Sequence, residues 1–291
     1  MLTDATGVTK PADASSVSWP VLAWTSALIL LCYFPVISRL VHQWATDDDM
    51  GHGFFVPAIA GYIAYQKLDG TAGVPAKPDF RAIFLLVWAA LQAYLATLGA
   101  ELFLARTAIV LTIIGSVWLL CGLRYLRIFA FPLGLLFLMI PIPAIIYNSV
   151  TFPLQLFATR VAEMSLNVLG IPVMSSGNVL ELADMKLNVV DACSGIRSLL
   201  SLTFLSLIYG YFFEKSARIR AVLFLSTLPI AILANAGRVT MTGILGQFDA
   251  KFAEGLYHEA EGWVVFMIAV TIMVGVHQAL TRIAAIRSRP A

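Results

Sequence analysis

The sequence predicts an all-α polytopic membrane protein: about eight transmembrane helices, an outer amphipathic helix, and a small β-hairpin-like outer loop before the helix that carries Cys193. Three observations predict it. Of 291 residues, 59% are hydrophobic and only 12% are charged, where soluble domains carry roughly a quarter charged. Mean hydropathy is +0.85. The apolar residues also fall in runs of spanning length, about 17 to 25 residues, with lysine and arginine gathered beside alternate ends.

Taken in order, the candidate spans lie near 20–40, 54–68, 82–100, 102–122, 128–147, 193–213, 221–246 and 263–281. The second is short and holds Pro57, which suits a tilted, kinked or partly inserted helix. Stretch 148–169 is apolar, but Asn148, Gln155, Arg160 and Glu163 interrupt it, as in an amphipathic helix at the interface. The whole of 1–291 reads as a single integral membrane domain, with a polar N-terminal tail over 1–18 and a basic C-terminal tail over 282–291. That first tail begins no apolar run, so no cleavable signal peptide is expected, and the first span would serve as its own signal.

Orientation follows from the basic residues. With the N-terminus in the cytoplasm, the inner segments hold Lys10, Lys67, Lys77, Arg81, Arg124, Arg127, Lys215, Arg218, Arg220, Arg282, Arg287 and Arg289. Most acids then fall outside, among them Asp47 to Asp49, Glu181, Asp184, Asp191, Glu259 and Glu261. Both termini are expected in the cytoplasm. His52, Cys193, Arg238 and His258 all reach the outer mouth. The net charge of +2 gives no reason to expect nucleic acid as a partner.

The chemistry sits at three such thresholds. Val179 to Leu182 and Leu187 to Val190 are β-prone pieces around Ala183-Asp184-Met185. They end at Asp191, placed to cap a helix starting near Cys193. A thiol in the first turn of a helix faces the positive end of the macrodipole, which favours the nucleophilic thiolate. Arg197, four residues on, shares its face. The plain alternative is a small packing cysteine, the role that fits Cys32 and Cys121 inside their apolar runs.

Arg238 lies toward the outer end of the seventh span, where a charge is costly and usually faces protein. It suits an oxyanion-stabilising cation, with snorkelling to lipid phosphate as the alternative. Asn235, three residues earlier, can donate to the same group. His258, in an outer loop before the last span, carries the side chain best suited to proton exchange near neutrality. His52 is a second histidine of that face; His42 and His277 have no supporting context. No CxxC, HExxH or EF-hand pattern occurs, and Asp47-Asp48-Asp49 reads as a solvated loop, so neither a metal nor a cofactor is expected.

Together these segments resemble the exosortase/archaeosortase family of membrane cysteine transpeptidases. The resemblance runs from His52-Gly53-Phe54-Phe55-Val56-Pro57 through Pro141-Ile142-Pro143, Gly170-Ile171-Pro172-Val173 and Gly177-Asn178-Val179. It continues through Ala192-Cys193-Ser194-Gly195-Ile196-Arg197, Asn235-Ala236-Gly237-Arg238 and His258-Glu259-Ala260-Glu261-Gly262-Trp263.

It implies Cys193 as nucleophile, with Arg238 and His258 completing a triad; Arg197, Asn235, His52, Ser194 and Glu259 are expected in supporting or substrate-binding roles, those of His52 and Arg197 being open. The implied partners are the lipid bilayer and membrane-anchored secreted proteins with a C-terminal signal: a motif such as Pro-Glu-Pro, a transmembrane helix and a basic tail. Cleavage would leave a thioacyl enzyme whose acceptor is open among water, an amine, a lipid and a glycan. The implied location is the cell inner membrane, with the site facing the periplasm. A transporter or channel for an anionic solute is the rival reading; it expects mid-membrane charges and pseudo-symmetric halves, and no internal repeat is visible.

Overall fold

The computed structural model of the chain describes residues 18–71, 74–182, 186–188, 196–247 and 255–287. They divide between two compact units, Met1–Ile142 and Pro143–Ala291. Among the described residues, three helices are long and apolar enough to cross a bilayer, Leu102–Cys121, Ala217–Gly246 and Ala260–Ile286. The number rises to five if Trp19–Cys32 with Phe34–Thr46, and Ala130–Met139 with Ala144–Val168, each count as one broken span. The chain is a helical, multi-pass membrane protein.

The first unit opens with α1 (Trp19–Cys32) and α2 (Phe34–Thr46), bent by 73° where a single span over 20–40 is predicted. Pro35 in the first turn of α2 is the cause: it has no N–H to continue the ladder and crowds the turn before it. Tyr33 leaves helical geometry there, and its hydroxyl meets Thr112 Oγ1 at 2.8 Å. A 3-10 segment, Asp48–Phe54, leads into α3 (Phe55–Lys67), in which Pro57 stands in the first turn and costs no hydrogen bond. With 13 residues α3 is about 20 Å long, short of a 30 Å hydrocarbon core.

Helices α4 (Ala82–Leu98) and α5 (Leu102–Cys121) pack closely through small residues. Ala82, Ala89 and Ala96 are buried every seventh residue, and a β-carbon on Gly115 would lie 2.7 Å from Leu86 Cδ2. Phe84, Trp88, Leu91, Tyr94 and Leu98 point outward, as lipid-facing side chains do.

The predicted span over 128–147 is not one helix. It is divided among α6 (Leu123–Ile128), α7 (Ala130–Leu135) and a 3-10 turn, Leu136–Met139, and then broken at Pro141 and Pro143.

In the second unit, α8 (Ala144–Val168) begins four residues before the predicted amphipathic helix, and its amphipathicity is inverted. Thr151, Gln155, Ala158, Thr159 and Ala162 are buried, while Ile145, Phe152, Phe157, Met164 and Val168 are exposed. Thr151 and Thr159 hand their hydroxyl protons to the carbonyls of Tyr147 and Gln155, so hydroxyls face protein at no cost in unmet donors. A three-stranded antiparallel sheet follows: β1 (Val173–Ser176), β2 (Val179–Leu182) and β3 (Lys186–Asn188). The sequence reading has pieces matching β2 and β3 but not β1. Glu163 of α8 docks β1, accepting the Ser175 N–H at 3.1 Å and its hydroxyl at 2.6 Å.

Three long helices complete the unit: α9 (Ile196–Phe213), α10 (Ala217–Gly246) and α11 (Gly255–Arg287). Leu180, Leu182 and Leu187 of the sheet pack with Ala158, Ala162 and Leu166 of α8 and Ala236 and Val239 of α10. A second core joins Leu202, Leu223, Ile230, Ala231, Ala269 and Met273 across α9, α10 and α11.

Candidate active site

Helix α10 carries Asn235, Arg238 and Thr242 on one stripe, at spacings of three and four residues. Asn235 and Thr242 are buried and Arg238 is half-buried. Facing them on α11 stand Glu261, 6% exposed, and Gly262. A β-carbon on Gly262 would lie 3.1 Å from both Cζ and Nη2 of Arg238, and 3.3 Å from Nη1. The guanidinium therefore lies close against the helix backbone, on a seat that a β-carbon at 262 would crowd.

Thr242 Oγ1 stands 3.0 and 2.8 Å from the two carboxyl oxygens of Glu261, and 3.0 Å from the Arg238 carbonyl oxygen. One hydroxyl proton serves one of these acceptors at a time. Thr242 thus stands within reach of both the Arg238 carbonyl and the carboxyl that precedes Gly262, and donates to either.

His258 lies in α11, four residues before Gly262 and three before Glu261, and so on the same helical face. This corrects its predicted loop position: α11 starts at Gly255, eight residues before the predicted span. The polar run Leu256-Tyr257-His258-Glu259 ends the apolar stretch without ending the helix. The side chains of His258 and Glu259 lie outside the described ones, as do Cys193 and Ser194 altogether. Arg197 falls in the first turn of α9, exposed at its side chain. Asn235 also lines a small cleft with Leu154, Leu199, Ala231 and Ile232.

His52 belongs to the first unit, in the 3-10 segment before α3, and is half-buried. Burial pushes its imidazole pKa below the ordinary value, with hydrogen bonds to the backbone of Leu138 and Asp49 opposing the shift. Its neighbourhood is a packed corner. The Trp44 indole N–H donates to the Met139 carbonyl at 2.9 Å, and a β-carbon on Gly53 would lie 2.4 Å from that indole nitrogen.

The sequence reading misses Glu261 and Thr242 as site residues. The signal available to find them was the spacing of Glu261 from His258 on a helix, hidden while His258 was read as a loop residue. It also misses the surroundings of His277. Tyr209 Oη lies 3.1 Å from its Nδ1, and Glu214 Oε2 lies 3.2 Å from its Nε2. The Ser216 N–H, 2.6 Å from Glu214 Oε1, holds that carboxyl below the usual range. No local pattern announces partners 63 and 68 residues away.

A helical membrane protein that buries an Asn–Arg–Thr stripe of one long helix against a Glu–Gly pair of the next defines a class: an integral membrane protein with a polar site between spans. The family model of the transmembrane exosortases matches residues 44–275, and the chain belongs to that family. Among curated proteins and among solved structures, none matches it.

Proposed function

We propose that this exosortase is a membrane cysteine transpeptidase. In this reading it removes the C-terminal sorting signal of secreted proteins, made of a Pro-Glu-Pro-like motif, an apolar helix and a basic tail. The site faces the periplasm from the cell inner membrane, in a multi-pass chain with both termini in the cytoplasm. The observation that most supports the reading is the seat of Arg238 on Gly262, one helical turn after His258. It sets a permanent cation against the helix whose preceding turn carries the residue best suited to move protons.

The Cys193 thiolate attacks the scissile carbonyl carbon, forming the C–S bond, and the carbonyl π electrons pass to oxygen, held by the guanidinium donors of Arg238. Collapse of this intermediate expels the amine. His258 as imidazolium gives the amine its proton, leaving a thioester on Cys193. An acceptor nucleophile then attacks the thioester, His258 takes the acceptor's proton, and the thiolate leaves. Asn235, one turn before Arg238, donates to the same carbonyl oxygen or to the adjoining peptide. Arg197, Ser194 and Glu259 support binding.

The test is a co-expressed reporter bearing such a signal. Wild-type enzyme releases the tail, and Cys193→Ala and Cys193→Ser, inserted in the membrane at wild-type level, release none. Processing by either variant rejects the reading.

A further inference from the structure

Glu261 has no part in that chemistry, yet it is 6% exposed at the interface of two spanning helices. A carboxyl is rarely so buried without a partner of opposite charge or a donor. One such donor is the Thr242 hydroxyl, 3.0 and 2.8 Å from its two oxygens. Thr242 stands one turn after Arg238 on α10 and also reaches the Arg238 carbonyl at 3.0 Å. The residue after Glu261 is Gly262, against which the guanidinium of Arg238 lies.

Glu261 therefore meets the helix that carries Arg238 at Thr242, and it directly precedes the residue against which the guanidinium lies. An arginine side chain has many rotamers, and an exposed one samples them freely. A cation that must meet an oxygen only as charge develops on it works best when held in place beforehand. A carboxylate on the residue before the seat favours that placement, because the opposite charge attracts the guanidinium toward α11 in surroundings of low dielectric.

The geometry points to Glu261 as the positioning residue of the site, a buried carboxylate that, with Thr242, fixes the guanidinium of Arg238 on Gly262. This rests on the reading of Arg238 as the cation that stabilises the oxyanion. Glu261 touches neither substrate nor nucleophile and acts through Arg238.

The test uses the full chain in detergent with a purified reporter carrying a Pro-Glu-Pro motif, an apolar helix and a basic tail. Glu261→Gln keeps the shape and the contact with Thr242 and loses the charge. The expected result is a fall in kcat of about 10²-fold, the scale of one lost oxyanion donor, with KM within about twofold. The thermal midpoint and the rate of Cys193 alkylation by iodoacetamide stay at wild-type values.

Thr242→Val, which removes the hydroxyl at nearly constant shape, is expected to lower kcat about tenfold in the same pattern. It decides the matter should Glu261→Gln fail to accumulate. A wild-type kcat in the folded variant, or a loss that follows KM or the folded fraction, overturns the inference. Cys193→Ser is run beside them: if it still releases the tail, the transpeptidase reading has failed, whereas an inert Cys193→Ser with a fully active Glu261→Gln rejects only the role of Glu261.

Discussion

Arg238 rests its guanidinium against Gly262, so closely that a β-carbon there would stand 3.1 Å from Cζ. Few real β-carbon contacts are that tight, so a side chain at 262 must push the cation away or be pushed itself. Gly262→Ala is expected to cut reporter processing about 10- to 100-fold, a barrier change of about 1.4 to 2.7 kcal/mol. Membrane insertion should be unaffected. Rates of tail release at matched enzyme levels check this, and a wild-type rate would show that the seat has no part in turnover.

In the first unit, Gly53 meets the Trp44 indole more tightly still, at 2.4 Å for a β-carbon. That indole is fixed by its hydrogen bond to Met139, so it has little freedom to yield. Gly53→Ala should destabilise the chain by about 1 to 3 kcal/mol, the ordinary cost of overpacking. The thermal midpoint in detergent should fall by several degrees, and Trp44→Phe in the same background should recover part of the loss.

His52 gives the first unit a dependence on pH. Its folded pKa lies below the ordinary 6.5 because burial disfavours the charged ring. As pH drops below 6.5, the unfolded chain takes the proton first, so stability is lost progressively until pH reaches the folded pKa. Above 6.5 both states are neutral and the contribution is constant. Thermal midpoints measured from pH 7.5 to 5 should decline more steeply for wild type than for His52→Gln, and identical slopes would contradict this.

The docking of the sheet rests on one carboxylate. Glu163 takes both the N–H and the hydroxyl of Ser175. Hydrogen bonds to a charged group contribute about 1.5 to 3 kcal/mol each. Glu163→Ala should raise amide exchange through Val173 to Ser176 more than tenfold, while α10 and α11 keep their protection.

Much of this was legible in the sequence because the membrane makes polar residues conspicuous. Asn235 and Arg238 stand out within an apolar run, and both face another helix. The helical, multi-pass character follows from composition, and the Val179–Leu182 strand from its β-prone residues beside a turn.

What hydropathy cannot show is where a helix bends or continues past its apolar part. Pro35 divides α1 from α2 inside a single apolar run, while α11 continues back through His258 although that stretch is polar. Hydropathy is equally silent on pairing at a distance. Thr242 looks like any threonine of a membrane helix until Glu261, 19 residues on, is brought against it. The inverted stripe of α8 belongs here too: Gln155 and Arg160 read as marks of an interface, yet Gln155 is buried against protein.

The central claim is that Cys193 carries the acyl group of the substrate. It is tested most directly by intact mass spectrometry of the full-length enzyme mixed with the signal-bearing reporter and quenched in acid. Wild type should carry a covalent adduct of the mass of the cleaved reporter, mapped to Cys193 and released by hydroxylamine, and Cys193→Ser should carry none. Arg238→Ala should carry less of that adduct. Tail release by Cys193→Ser, or an adduct mapped to another residue, would contradict the claim.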